Sequence, residues 1–289
     1  MMRLALGTVQ FGLPYGIANQ DGQVSRVVAK DMLQYAVANG IDTLDTAIAY
    51  GDSEACLGEI GCKDFKLVTK LPAVPDKCND ITKWVSEQVS ASLGRMGVNS
   101  VYGLLLHRSE QLLGPDGKLI FKVLQNLRAT GQVQKIGVSI YAPSELDALT
   151  QYRFDLVQAP FNLIDRRLLT SGWLQRLKQE GVEIHTRSAF LQGLLLMSRT
   201  AMPAKFAPWA GIWGKWYEWL DNHSLTAVEA TLAYPLAFPE IDRVVIGADS
   251  KHQLEQIVCA VRGSSTPKDL PDLHSDDENL TNPAYWSKL

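Results

Sequence analysis

Hydrophobic positions in this chain follow two periods in turn, one of short continuous runs and one of helical spacing. An apolar run at 4–7 comes first. From Ser25 onward Val28, Met32, Leu33 and Ala36 then fall on one helical face, which stops at Asn39-Gly40. The alternation recurs, with further apolar runs at 41–47, 65–71, 101–106, 135–139, 156–161, 182–185 and 243–247. The spacing between them predicts helices starting near Asp52-Ser53 and at Asp80, the latter through Trp84, Val85, Val89 and Leu93 to Gly97. Others are predicted over 117–130, 143–151, 170–180, 225–238 and 250–262. Such alternation reads as α/β, a parallel sheet wrapped in helices. Eight units in 289 residues match a closed (β/α)8 TIM barrel. The barrel is expected over 1–263 as a single domain, and 264–289 as a C-terminal extension packing on it. That extension crosses the surface as loop from 264 to 277 and ends on Pro283-Ala284-Tyr285-Trp286, whose aromatics need a surface to pack on.

Composition narrows the partners more than the fold. A net charge of -3 and a pI near 6.0 supply no electrostatic reason to bind nucleic acid or an anionic membrane. The four cysteines (Cys56, Cys62, Cys78, Cys259) lack C-x-x-C spacing, so neither a metal site nor a redox pair is signalled. No signal-peptide pattern and no apolar run near the length of a membrane span is present, which predicts a reducing cytoplasm.

Polar residues at the ends of the apolar runs carry the candidate chemistry. The second run closes on Asp45 and opens into Tyr50-Gly51, the third ends on Thr69-Lys70, and the fourth ends on His107. In a parallel barrel these are strand C-terminal ends, the face on which active sites are built. Taken singly, Asp45 reads as a turn cap, Lys70 as a solvated charge, His107 as a hydrogen-bonded strand end and Tyr50 as packing. Gathered on one face, they read as a catalytic set.

Leu6-Gly7-Thr8, Leu44-Asp45-Thr46-Ala47 with Tyr50-Gly51, Thr69-Lys70, Leu105-Leu106-His107, Ile136-Gly137-Val138-Ser139, Gln158 with Asn162-Leu163, and Gln192-Gly193-Leu194-Leu195 occur in this order. Together they resemble the aldo-keto reductases over nearly the whole chain. The resemblance implies NAD(P)H-dependent reduction of a small-molecule carbonyl. Hydride delivery leaves an alkoxide-like oxygen that needs a proton and nearby positive character. Tyr50 would donate that proton. A free phenol releases it reluctantly at neutral pH, so Lys70 would stabilise the phenolate, Asp45 would hold the ammonium, and His107 would point an N–H at the carbonyl oxygen.

For the cofactor, the resemblance implies a site made of Thr8, Ser139, Gln158, Arg187, Ser188, Phe190, Gln192, Gly193, Gly247, Ala248, Gln253 and Gln256. The chain departs from the family pattern within it. Ile140 stands where Asn commonly follows Ser139, and Arg187 where an aromatic ring commonly stacks on the nicotinamide; a guanidinium can stack, or it can face an acidic substrate. The loop at 246–250 and the helix after it would favour a phosphate through exposed N–H groups. Yet Gln253 replaces a basic residue, Gln256 and Ile257 replace Glu and Asn, and Asp249 adds negative charge, with Lys251 and His252 as partial compensation. NADP(H) keeps a small lead, and NAD(H) stays open.

Substrate identity is weakly encoded. Phe206, Trp209, Trp213, Trp216, Tyr217 and Trp219 form a dense aromatic group. The spacing of Trp213, Trp216 and Trp219 predicts a buried helical face in preference to a pocket wall. Gln10, Phe11, Tyr15, Arg108 and Trp286 are candidates for the pocket rim, a mixture suited to sugar-like aldehydes or hydroxy-ketones. The alternative to an enzyme is a cofactor-binding regulatory or scaffold barrel with little turnover. Oligomeric state is not encoded.

Overall fold

Parallel pairing runs without interruption around the sheet of the computed structural model, which describes residues 2–263 and 269–289. The strands are β1 (Leu4–Gly7), β2 (Thr43–Asp45), β3 (Lys66–Leu71), β4 (Val101–Leu106), β5 (Val133–Ser139), β6 (Leu156–Pro160), β7 (Glu183–Arg187) and β8 (Arg243–Ile246). They close into a barrel in sequence order, with β1 pairing both β2 and β8. The helices are α1 (Arg26–Ala38), α2 (Ser53–Ile60), α3 (Ile81–Met96), α4 (Gly117–Ala129), α5 (Ser144–Ala148), α6 (Arg167–Thr170), α7 (Trp173–Gln179), α8 (Ala210–His223), α9 (Ala227–Leu236), α10 (Lys251–Gly263) and α11 (Glu278–Thr281).

Local chemistry sets most of these boundaries. Asp80 accepts from the Lys83 N–H at 2.9 Å to start α3, which Gly97 stops with φ +66°. Thr226 and Glu229 form a reciprocal capping box at the start of α9. The helix expected at 170–180 is split, because Gly172 adopts φ +80° between α6 and α7. The one expected at 143–151 shortens to α5.

Trp213, Trp216 and Trp219 are buried on one side of α8, as their spacing predicts. Burying an apolar side chain as completely as Phe206 contributes about 1.5–3 kcal/mol. Trp286 packs edge-on against Phe206 at 4.9 Å, which is the surface the C-terminal aromatics require. Arg166 donates to the Pro271 carbonyl at 2.7 Å and Arg167 to Glu278 at 3.3 Å, tying the extension to the α6 region. Of the expected surface loop, 269–277 carries no regular element, and 264–268 lies outside the described residues.

Candidate active site

Residues two apart on a strand share a side. Along β3 this aligns Lys66, Val68 and Lys70, and the line ends with Lys70 beside Asp45 at the end of β2. The Lys70 ammonium donates to Asp45 Oδ1 at 2.6 Å and to the Thr46 carbonyl at 2.9 Å. Asp45 Oδ2 accepts from Gln158 Nε2 at 2.6 Å, and Gln158 Oε1 accepts from Ser139 at 3.2 Å. Both carboxylate oxygens of Asp45 are therefore satisfied. Lys70 is only 1% exposed. Burial pulls its pKa down, but the charge of Asp45, then that of Tyr50, outweighs burial and the net shift is upward.

Tyr50 and His107 complete the cluster. The Lys70 nitrogen lies 5.1 Å from the Tyr50 ring centre, and the Tyr50 and His107 rings meet edge-on at 5.9 Å. Desolvation, reinforced by the charges of Lys70 and Arg187, pushes the His107 pKa down to about 4. His107 is thus a neutral imidazole at neutral pH, able to donate one N–H and carrying no charge. The backbone of Tyr50 is held by a close approach that only glycine permits. A Cβ on Gly12 would sit 1.8 Å from the Tyr50 carbonyl oxygen, and Gly51, at φ +52°, faces the Gly12 carbonyl in return.

Asp45, Tyr50, Lys70 and His107 all line one end of a cavity of about 600 Å³. Of the residues expected to hold a cofactor, Thr8, Ser139, Gln158, Arg187, Ser188 and Phe190 line it, and so do Gln192, Gly193, Gly247, Gln253 and Gln256. Ala248 is buried beneath it and is not part of the wall. The Arg187 guanidinium donates to the Ile140 carbonyl at 3.0 Å and lies 4.7 Å from the Tyr141 ring centre. Gln10 and Tyr15 are at the cavity, as expected for the rim. Phe11, Arg108 and Trp286 are not. Phe11 is in the core, Arg108 is exposed beside Tyr141, and Trp286 is consumed by Phe206. The aromatic group at 206–219 contributes nothing to the wall.

Three loops cover the cavity, and sequence reasoning missed how they interlock. Asn19, after β1, donates to Asp249, after β8, at 3.0 Å. Gln192, after β7, donates to the Tyr15 hydroxyl at 3.1 Å, and Ala18 packs so tightly on Gly193 that a Cβ there would lie at 2.6 Å. The turn-forming glycines Gly16 and Gly22 around Asn19 were the available signal. Ser188, Leu191 and Gln192 carry positive φ of 64°, 48° and 53°. At the start of α10, Ser250 accepts from the Gln253 N–H at 3.2 Å, and Gln253 Oε1 accepts from the Asp249 N–H at 2.7 Å.

A ligand with both polar and apolar parts fits this wall, which mixes amides and hydroxyls with aliphatic and aromatic side chains. Gln10 Oε1 is buried without a partner, and its amide fills the space a Cβ on Gly247 would take. Among the described residues no group of three His, Cys, Asp or Glu could hold a metal ion, and no helix is long and apolar enough to cross a membrane.

Comparison with known proteins agrees with this geometry. The sequence profile of the aldo/keto reductase family matches residues 3–275. A 6-dehydroglucose reductase of Agrobacterium fabrum is 30% identical over 201 residues, which cover 62% of this chain and 66% of that enzyme. The uncharacterized oxidoreductase YqkF of Bacillus subtilis is 24% identical over 86% of this chain and 87% of its own length. Among solved structures, aldo-keto reductase AKR11C1 of Bacillus halodurans, in its holo form, superposes with a TM-score of 0.71 at 21% identity, covering 92% of this chain and 88% of that one. A putative aldo-keto reductase of Pseudomonas aeruginosa does so with a TM-score of 0.66 at 21% identity, covering 89% and 88%. The chain belongs to the aldo/keto reductase family, oxidoreductases that act on small carbonyl compounds with a nicotinamide cofactor.

Proposed function

We propose that this protein reduces the carbonyl of an aldehyde or ketone, of sugar-like type, to the alcohol, with Tyr50 as general acid. The observation that carries the proposal is the buried Asp45–Lys70 pair set against the Tyr50 ring at the cavity end. When bound, the reduced nicotinamide supplies hydride. Ser139 and Gln158 are the groups placed to hold its carboxamide, and the wall from Gln10 and Gly247 to Gln253 receives the rest of the dinucleotide.

The chain's own residues handle the proton. Lys70, fixed by Asp45 and the Thr46 carbonyl, keeps a full positive charge where the phenol would lose its proton, so the Tyr50 phenolate is stabilised as it forms. His107, uncharged, donates an N–H to the carbonyl oxygen without competing as an acid. Gln158 prevents Asp45 from turning away from Lys70. The sugar-like class is supported by the hydroxyl and amide groups of Tyr15, Gln10 and Gln192 at the cavity and by the name of the Agrobacterium relative.

Nicotinamide absorbance, followed with purified protein and a panel of aldoses, dicarbonyl sugars and simple aldehydes, tests the proposal. Carbonyl-dependent oxidation that is lost in Tyr50→Phe is the expected result. Tight dinucleotide binding with no oxidation by any carbonyl would instead support a scaffold barrel.

A further inference from the structure

The two nicotinamide dinucleotides differ by one 2′-phosphate on the adenosine ribose. Resting on the reductase reading above, we infer that this chain takes NADH, and that Asp249 is the residue that excludes the phosphate. This reverses the small lead that the family resemblance lends to NADP(H).

With the reactive ring at Tyr50, Lys70 and His107, an extended dinucleotide would carry its adenosine ribose toward the loop after β8, which lies across the closed barrel from the end of β4 that bears His107. In this loop and the first turns of α10, Asp249, Gln253 and Gln256 line the wall. The cations among the cavity-lining residues are Lys70 and Arg187, both at the catalytic end. Lys251 is not among the cavity-lining residues; it pairs with Glu255 at 3.6 Å and lies 5.9 Å from the Tyr35 ring centre, toward α1. His252 is exposed and does not itself line the cavity; its ring meets the wall residue Gln256 at 3.2 Å and lies near Glu255.

The N–H groups that would receive a phosphate are also partly spent. Gln253 Oε1 holds the Asp249 N–H, and Ser250 holds the Gln253 N–H. Gln253 is therefore folded back on its own helix start. Asp249 is half-buried, with Oδ1 accepting from Asn19. Desolvation, with a smaller contribution from the charge of Asp21, raises its pKa. A phosphate dianion brought here would meet the like charge of Asp249 in a partly dry site with no cation in its wall, which is unfavourable. A ribose diol would instead donate its hydroxyl to the second carboxylate oxygen, a charge-assisted hydrogen bond. Acidic residues make the same choice for NAD in doubly wound folds.

The test is calorimetric titration of the full chain with NADH, NADPH, ADP-ribose and 2′-phospho-ADP-ribose. The unphosphorylated member of each pair should bind at least about tenfold tighter, equivalent to about 1.4 kcal/mol. In Asp249→Asn the gap should narrow through a gain in affinity for the phosphorylated ligands, and Gln253→Arg should strengthen NADPH binding while scarcely changing NADH. Equal or tighter binding of NADPH by the wild-type chain overturns the inference, as does an unchanged gap in a folded Asp249→Asn. If none of the four ligands binds, the reductase reading itself falls and this inference falls with it.

Discussion

The barrel carries a tyrosine, a lysine, a histidine and a carboxylate at both ends of its sheet. At the strand C-terminal end stand Tyr50, Lys70, Asp45 and His107; nearer the N-terminal end stand Tyr102, Lys135, Glu183 and His185. The resemblance extends to geometry, since the Lys135 nitrogen lies 5.1 Å from the Tyr102 ring centre, as the Lys70 nitrogen does from that of Tyr50. The wiring differs. Tyr102 donates its hydroxyl to Glu183 at 2.6 Å, His185 is bonded to the same carboxylate at 2.7 Å, and Lys135 is paired with it too. Every member of the lower set converges on Glu183, whereas the upper set presents its phenol and imidazole to a cavity. Asp42 joins Lys66 and Arg243 in the same lower region, so each of these cations has a carboxylate partner. Residue types do not make an active site; an uncommitted proton facing a cavity does.

The sharpest way to break this comparison is to remove one hydroxyl from each set. Tyr50→Phe should lose about 10²- to 10⁴-fold in turnover with cofactor affinity intact, and Tyr102→Phe should retain turnover. If Tyr50→Phe kept more than a tenth of wild-type turnover with chemistry rate-limiting, the acid would have to be sought elsewhere.

Charge removal separates the ends by stability as well as activity. Asp45→Asn and Lys70→Met each strand a buried partner, so each should cost roughly 3–5 kcal/mol in urea unfolding, together with most of the activity. Wild-type unfolding midpoints in both would contradict the burial on which the mechanism depends. Glu183→Gln should cost roughly 2–4 kcal/mol while leaving turnover near wild type, because Lys135 retains some access to water. Desolvation works against the Glu183 carboxylate, but hydrogen bonds from His185, Lys135 and Tyr102 prevail and hold its pKa well below the usual range. Its contribution is therefore complete above the ordinary carboxyl pKa of about 4.3 and is lost as pH falls through the lower folded value.

The smallest effect lies in the pH profile. His107 has a folded pKa of about 4, below the free value of about 6.5. The stability it lends as a neutral ring is full above about 6.5 and disappears as pH falls toward 4. Activity should therefore show no histidine titration near 6.5, with any acid limb from His107 appearing close to 4. A limb centred at 6.5 would mean that the imidazole is better solvated than its surroundings indicate.

Much of the upper end was legible in the chain, because strand ends and their polar residues are local features. Asp45, Lys70 and His107 each terminate an apolar run, and the period-two rule carries them to one side of the sheet. The lower set was invisible for the opposite reason. Tyr102 and Glu183 are 81 positions apart and meet only after the barrel closes. Trp286 was expected at the pocket rim because its partner Phe206 could not be read from periodicity. The interlocking of Asn19 with Asp249 likewise joins loops from the first and last strands, which no local pattern links. Gly172 interrupts a helix that apolar spacing alone would have continued.

Ser188, Leu191 and Gln192 give the molecule an uneven distribution of conformational free energy. A left-handed backbone beneath a side chain costs roughly 1–2 kcal/mol at each position, and here three such positions fall within five residues, in the segment that roofs the cavity. Among the described residues the one other such position is Ser224, at φ +52° after α8, so the roof holds most of this tension. Local opening at this segment recovers part of that cost, whereas opening at any strand of the closed sheet recovers none. Thermal breathing therefore starts over the binding channel while the sheet beneath stays shut.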